Sequence, residues 1–158
     1  MRTKFVFMAL LCSLSLSGQA KNPAALRYDI ECAGNGVQGT YLVKVWVYGK
    51  PDNITSNEIN KCAVHGIIFK GFEEKNDCKG QKPLAQSPDL EQEEADFFNA
   101  FFNIDQSYAK YVTEVEGTAE RVKLGKEYKI GAIVSVSKDL LRKDLETAGI
   151  IRGLSDGF

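Results

Sequence analysis

The stretch from Thr40 to Phe72 constrains the fold more than any other, because it reads as one strand feeding one helix. Tyr41-Leu42-Val43-Lys44-Val45-Trp46-Val47-Tyr48 is almost wholly β-branched, aromatic or apolar. Such a run suits a pleated surface and predicts a central strand covered on both faces. Gly49-Lys50-Pro51-Asp52-Asn53 ends it with residues that favour turns and cannot continue a ladder. Thr55-Ser56-Asn57-Glu58 then has the spacing of a capping box ahead of the run Ile59 to Phe69. In helical projection Ile59, Cys62, Ala63, Gly66 and Ile67 share one face. A mid-helix glycine costs about 1 kcal/mol relative to alanine. Gly66, at the centre of the apolar face, therefore predicts a close approach of helix to sheet.

The flanking segments build on this unit. Leu26 to Cys32 alternates apolar and charged residues, the period of a half-buried strand, and Gly34-Asn35-Gly36 signals a turn into the central strand. The polar stretch 72–88 is long for a connection within a compact domain and predicts a flexible loop unless Cys78 pins it. Ala119 to Leu124 alternates, Gly125-Lys126 turns, and Tyr128 to Val136 is a second strongly apolar strand. Ser137 opens a helix carrying Leu140, Leu141 and Leu145, which Gly149 ends. The expected architecture is α+β. Two strand-strand-helix halves form one mainly antiparallel sheet with helices on one face, plus an inserted aromatic-rich helix.

The first twenty residues read as a leader rather than as part of the fold. Arg2 and Lys4 form a basic start, Phe5 to Leu16 an apolar core, and Gly18-Gln19-Ala20 a small-residue cleavage site. The apolar run is shorter than the roughly 20 residues a membrane-spanning helix needs. The expectation is cleavage after Ala20 and a single domain over 21–158 in the periplasm or outside the cell, with no transmembrane segment. The full chain carries a formal net charge of −1, and the leader removes two of its cations. No basic stripe stands out, which points away from nucleic acid as a partner.

Cys32, Cys62 and Cys78 remain after the leader. Pairing Cys62 with Cys78 would tie the loop to its helix and is the favoured disulfide. Cys32 with Cys62 would tie strand to helix, and an intermolecular bond or three reduced thiols are the remaining options.

Cys62 and His65 form a C-x-x-H pair, which supplies two of about four ligands of a structural zinc site, the other sulfurs being Cys32 and Cys78. A nucleophilic role for Cys62 conflicts with its place on the apolar face, where burial raises a thiol pKa. The acidic run Asp89 to Asp96 lacks the ligand spacing of a calcium loop and reads as a solvated helix start. No phosphate loop, nucleophile elbow or zinc-protease motif is present in the sequence. The expectation is a non-enzymatic protein without metal or cofactor.

Ser87-Pro88-Asp89 opens a segment bearing Phe97, Phe98, Phe101, Phe102, Ile104, Tyr108, Tyr111 and Val112 at spacings of three and four. The spacing predicts a helix to about Val115, with Asn103 and Asp105 as a break point. If Phe97, Phe101 and Ile104 face the core, then Phe98, Phe102 and Tyr108 face outward as a partner-binding patch. The alternative places the whole stripe in the core.

Tyr128-Lys-Ile-Gly-Ala-Ile-Val-Ser-Val-Ser-Lys138, followed by Asp139 to Ile151, is similar to the closing strand and helix of small exported envelope domains. These include flagellar-associated secreted lipoproteins, the amino-terminal domain of a flagellar outer-membrane ring protein, and curli-secretion-type periplasmic domains. Gly39 to Phe72, with Ala63-Val64-His65-Gly66-Ile67-Ile68-Phe69, resembles their first half and exported proteins of Bacteroides-like bacteria. The resemblance implies an accessory role in the envelope through binding another envelope protein. It carries over no catalytic residue. A glycan or small-ligand module with an aromatic cleft is the alternative.

Overall fold

A computed structural model describes residues 27–50, 54–75 and 78–153; the leader and its cleavage site lie outside the described residues. The chain is an α+β fold built on one antiparallel five-stranded sheet. β1 (Tyr28–Gly34) pairs with β2 (Tyr41–Gly49), and β2 pairs along its full length with β5 (Glu127–Val136). Beyond β5, β3 (Val112–Glu114) and β4 (Glu120–Leu124) occupy successive parts of the same edge. They are two halves of one interrupted strand. Residues 115–119 bow away between them, and the Ile133 N–H reaches the Thr118 hydroxyl at 3.0 Å instead of a backbone carbonyl.

The register explains the core. Val43 faces Val134, Val45 faces Ala132 and Tyr41 faces Val136, so these side chains share one face with Tyr28 and Cys32. That face carries the fully buried valines of the sheet, covered by α1 (Ser56–Phe69). The opposite face carries Leu42, Lys44, Trp46, Tyr48 and Ile133, all only half-buried. The expectation of a strand covered on both faces is thus corrected. Helices cover one face, and the second apolar row of β2 is left to amphipathic side chains.

Local signals give the helix boundaries. The Thr55 hydroxyl accepts the Glu58 N–H at 3.3 Å, as the capping spacing predicts. A Cβ on Gly66 would stand 2.8 Å from Ile30 Cδ1 and 3.3 Å from Tyr28 Cε2. The helix therefore lies closer to β1 than any side chain would allow. α4 (Lys138–Thr147) buries Leu141 and Leu145 in the same core. It ends at Gly149 (φ +73°), with the Ile150 N–H returning to the Leu145 carbonyl at 2.9 Å.

The described residues of the connection 72–88 carry several backbone hydrogen bonds. Phe72 and Gln81 exchange two backbone hydrogen bonds at 2.9 and 2.8 Å, and Lys75 and Cys78 exchange two at 3.1 Å. Leu84 is buried, and its N–H reaches the Ile67 carbonyl at 3.2 Å. The disulfide joins Cys32 to Cys78, with Cα atoms 6.2 Å apart. This corrects the expected Cys62–Cys78 pair. Cys62 sits on the inner face of α1, fully buried and free, where no loop cysteine can reach it without leaving β1.

The inserted segment is not one helix. It runs as α2 (Leu90–Glu93), α3 (Ala95–Asn99), a π turn (Ala100–Ile104) and a 3₁₀ turn (Ser107–Tyr111) that leads directly into β3. Gln106, in the left-handed region at φ 50°, makes the break just after Asn103 and Asp105.

Candidate functional site

The predicted outward patch faces inward. Phe98, Phe102 and Tyr108 are 3, 5 and 4 % exposed, whereas Ile104, expected inside, is 69 % exposed. The π turn shifts the side-chain phase after Ala100, which accounts for Phe102 and Ile104; Phe98 precedes it, on the face of α3 that packs against Phe69. Phe98 then meets Phe69 of α1 edge-on at 4.9 Å, and Phe102 lies 5.6 Å from the His65 ring. The aromatic stripe is therefore core.

Beside this cluster a hydrogen-bonded line runs from buried Tyr28 through His65 to the exposed Glu91. The Tyr28 hydroxyl lies 2.7 Å from His65 Nδ1, and His65 Nε2 lies 3.2 Å from both carboxylate oxygens of Glu91. A carboxylate can only accept, so Nε2 carries the proton and Nδ1 accepts the Tyr28 O–H. Burial lowers the imidazole pKa below its ordinary 6.5, outweighing the attraction of Glu91. Burial also raises the Tyr28 hydroxyl pKa, so the phenol stays protonated. The arrangement has the order of an acid-base relay, but its terminal hydroxyl is 5 % exposed and held as a donor. It acts as a clamp joining β1, α1 and α2. Glu91 comes from the acidic run, whose sequence gave no sign of this contact.

The clamp predicts a pH dependence. Unfolded His65 takes up a proton near 6.5 and the folded side chain resists it, so stability is full above that value and falls as pH drops through it. Denaturant midpoints measured between about pH 7.5 and pH 5 should fall for the parent chain and flatten for His65→Gln. Equal slopes for both would remove His65 as the titrating group.

The two side chains of the C-x-x-H pair turn to different surroundings. Burial pushes the Cys62 thiol pKa up to about 12, and the ring nitrogens of His65 point to Tyr28 and Glu91. Among the described residues no three or more His, Cys, Asp or Glu side chains group so as to hold a metal ion. No described helix is long and apolar enough to cross a membrane.

The uncovered face of the sheet carries the other organised cluster. Trp46 lies flat across Gly131, where an added Cβ would come within 2.5 Å of the indole. Its Nε1 donates to Glu31 at 3.2 Å, and the ammonium groups of Lys44 and Lys129 each lie 4.5 Å from the ring centroid. Lys44 pairs with Glu120 at 2.6 Å, Lys75 with Glu31 at 2.5 Å and Lys129 with Asp29 at 3.9 Å. The Lys75 hydrogen bond holds the Glu31 carboxyl below the usual range, and the Trp46 N–H adds to this. The Tyr48 hydroxyl donates to Asp29. On β4, Val122 and Leu124 extend the surface, 43 and 48 % exposed. The result is an indole laid against Gly131 and ringed by paired charges.

These features define an α+β domain in which no helix among the described residues covers the Trp46 face of the sheet. Comparison of the chain with family models, curated proteins and solved structures finds no match.

Proposed function

We propose that the protein is a non-catalytic accessory domain of the cell envelope, binding a protein partner through the open face of its sheet. The export-type leader and the resemblance of both halves to envelope domains support the location. The single observation that carries the binding role is Trp46, immobilised at the centre of the one sheet face without a helix. Protein interfaces combine a desolvated aromatic centre with a polar rim, and tryptophan is enriched among the residues that dominate their affinity. The ion pairs of Lys44, Lys75 and Lys129 supply such a rim. Stacking of a sugar needs a free ring face, whereas here two ammonium groups lie over the indole. That favours a protein over a glycan.

The test places a photocrosslinking side chain at Val122 or Leu124 and, as control, at Lys143 on α4, in the native envelope. One protein crosslinked from β4 and not from α4 identifies the partner. Trp46→Ala and the surface change Leu124→Glu should then each weaken binding of that purified partner by about 2 kcal/mol or more, roughly thirtyfold in Kd. Unchanged affinity in a folded Leu124→Glu variant, or crosslinks from α4 alone, would remove the open face as the interface.

A further inference from the structure

A second surface has a different chemistry. The β1–β2 loop, the Cys32–Cys78 disulfide and the start of α4 enclose a cleft of about 430 Å³. This lies within the range of roughly 300–1,000 Å³ typical of small-molecule sites. Its charged lining residues are Lys79 and Lys138 and no acid, in a chain whose net charge is negative. Neither lysine forms an ion pair among the described residues, whereas Lys44, Lys75, Lys110 and Lys129 all do. The Lys138 ammonium lies 4.6 Å from the centroid of the Tyr41 ring, which is its only recorded partner in the cleft wall.

The wall beside the disulfide is aromatic, while Asn35, Gln38 and Thr40 line the loop side. Tyr41 and Phe72 meet edge-on at 5.4 Å, and the Tyr41 hydroxyl is committed to Gln81. The disulfide and the paired backbone of Phe72 and Gln81 fix that side. On the other side the loop is anchored to α4, where the Asp139 N–H reaches the Gly39 carbonyl at 3.3 Å. Gly39 has φ +83°, and an added Cβ would stand 3.0 Å from the Asp139 carboxylate. The Asp139 side chain is not among the lining groups of the cleft. Both walls are therefore in place before any ligand arrives, which lowers the cost of binding.

We propose that this cleft binds a small organic anion, with its carboxylate or phosphate taken by Lys79 and Lys138 and its apolar body against Tyr41 and Phe72. Ammonium groups bind such heads through charge-assisted hydrogen bonds, and the aromatic wall supplies the area that a fully hydrated inorganic ion does not use. The site meets the partner-binding face at Leu42 but shares none of its charged groups, and it stands or falls independently of that proposal.

Calorimetric titration of the oxidised chain tests this with phenyl phosphate, octanoate and the neutral benzyl alcohol. Saturable one-to-one binding of phenyl phosphate, octanoate or both is expected, with benzyl alcohol at least about tenfold weaker. Binding of phenyl phosphate alone assigns a phosphate head, and of octanoate alone a carboxylate head. Lys79→Gln and Lys138→Gln should each weaken the anion by about tenfold while leaving the thermal midpoint in place. Added salt should weaken it further. Absence of binding by both anions, equal binding of benzyl alcohol, or a folded double variant that binds like the parent would overturn the proposal.

Discussion

Phe102→Ala is expected to lower the stability of the domain by about 3–5 kcal/mol. The Phe102 ring is buried and contacts His65, Phe98, Phe101 and Tyr108, at centroid distances of 5.6, 6.1, 4.8 and 5.9 Å. Removing it deletes the ring that packs the π turn against α1, and the surrounding aromatics cannot close the gap without leaving their rotamers. A loss of this size is a large share of the 5–15 kcal/mol that separates a typical folded domain from its unfolded chain. Ile104→Ala, two residues away and mostly exposed, should change stability by less than about 0.5 kcal/mol. Urea unfolding of the two variants reads the contrast directly. Equal, small effects would mean that Phe102 faces solvent.

The second large effect belongs to the disulfide. Cys32 and Cys78 are separated by 46 positions, and loop-closure entropy for a bridge of that span is worth about 4 kcal/mol. Cys32→Ser with Cys78→Ser should lose most of that amount, because the unfolded chain is then no longer closed into a loop. Thiol titration gives an independent reading. In a chain lacking the leader, no thiol should react in the native state, and Cys62 alone should react once the chain is unfolded without reductant. A reactive Cys32 or Cys78 in the unfolded, unreduced chain would contradict the pairing.

What could be read from the residues alone was local. Thr55 and Glu58, Gly66, and Gly149 each act within a turn or across one contact, and their spacing carries the information. The strand-strand-helix halves were legible for the same reason, as alternation followed by helical period. The Cys32–Cys78 pair was not, because it depends on where the 72–81 hairpin lands beside β1. Phe102 and Ile104 were misplaced because a single π turn changes the phase of the side chains after it, and Phe98, which precedes that turn, because spacing alone does not say which face of a short helix meets α1. Trp46 was hidden in a different way. A strand with apolar residues at both parities reads as doubly covered, and the Trp46–Gly131 packing shows itself only in the cross-strand register. Glu91 looked like one acid among several until α2 was seen beside His65.

The two edges of the sheet bear on how a partner could read this molecule. On one side, Lys70 takes the Tyr28 carbonyl at 3.0 Å and the Cys32 bridge follows four residues on. On the other, residues 115–119 interrupt the strand, and Glu120, Arg121 and Lys123 charge what remains. The β3–β4 edge is thereby broken and charged, which disfavours extension of the sheet by another chain there. Main-chain addition tolerates many sequences, whereas docking on side chains does not. Recognition by this domain is consequently expected to be selective, with a partner chosen by the shape around one indole rather than by its capacity to form a strand.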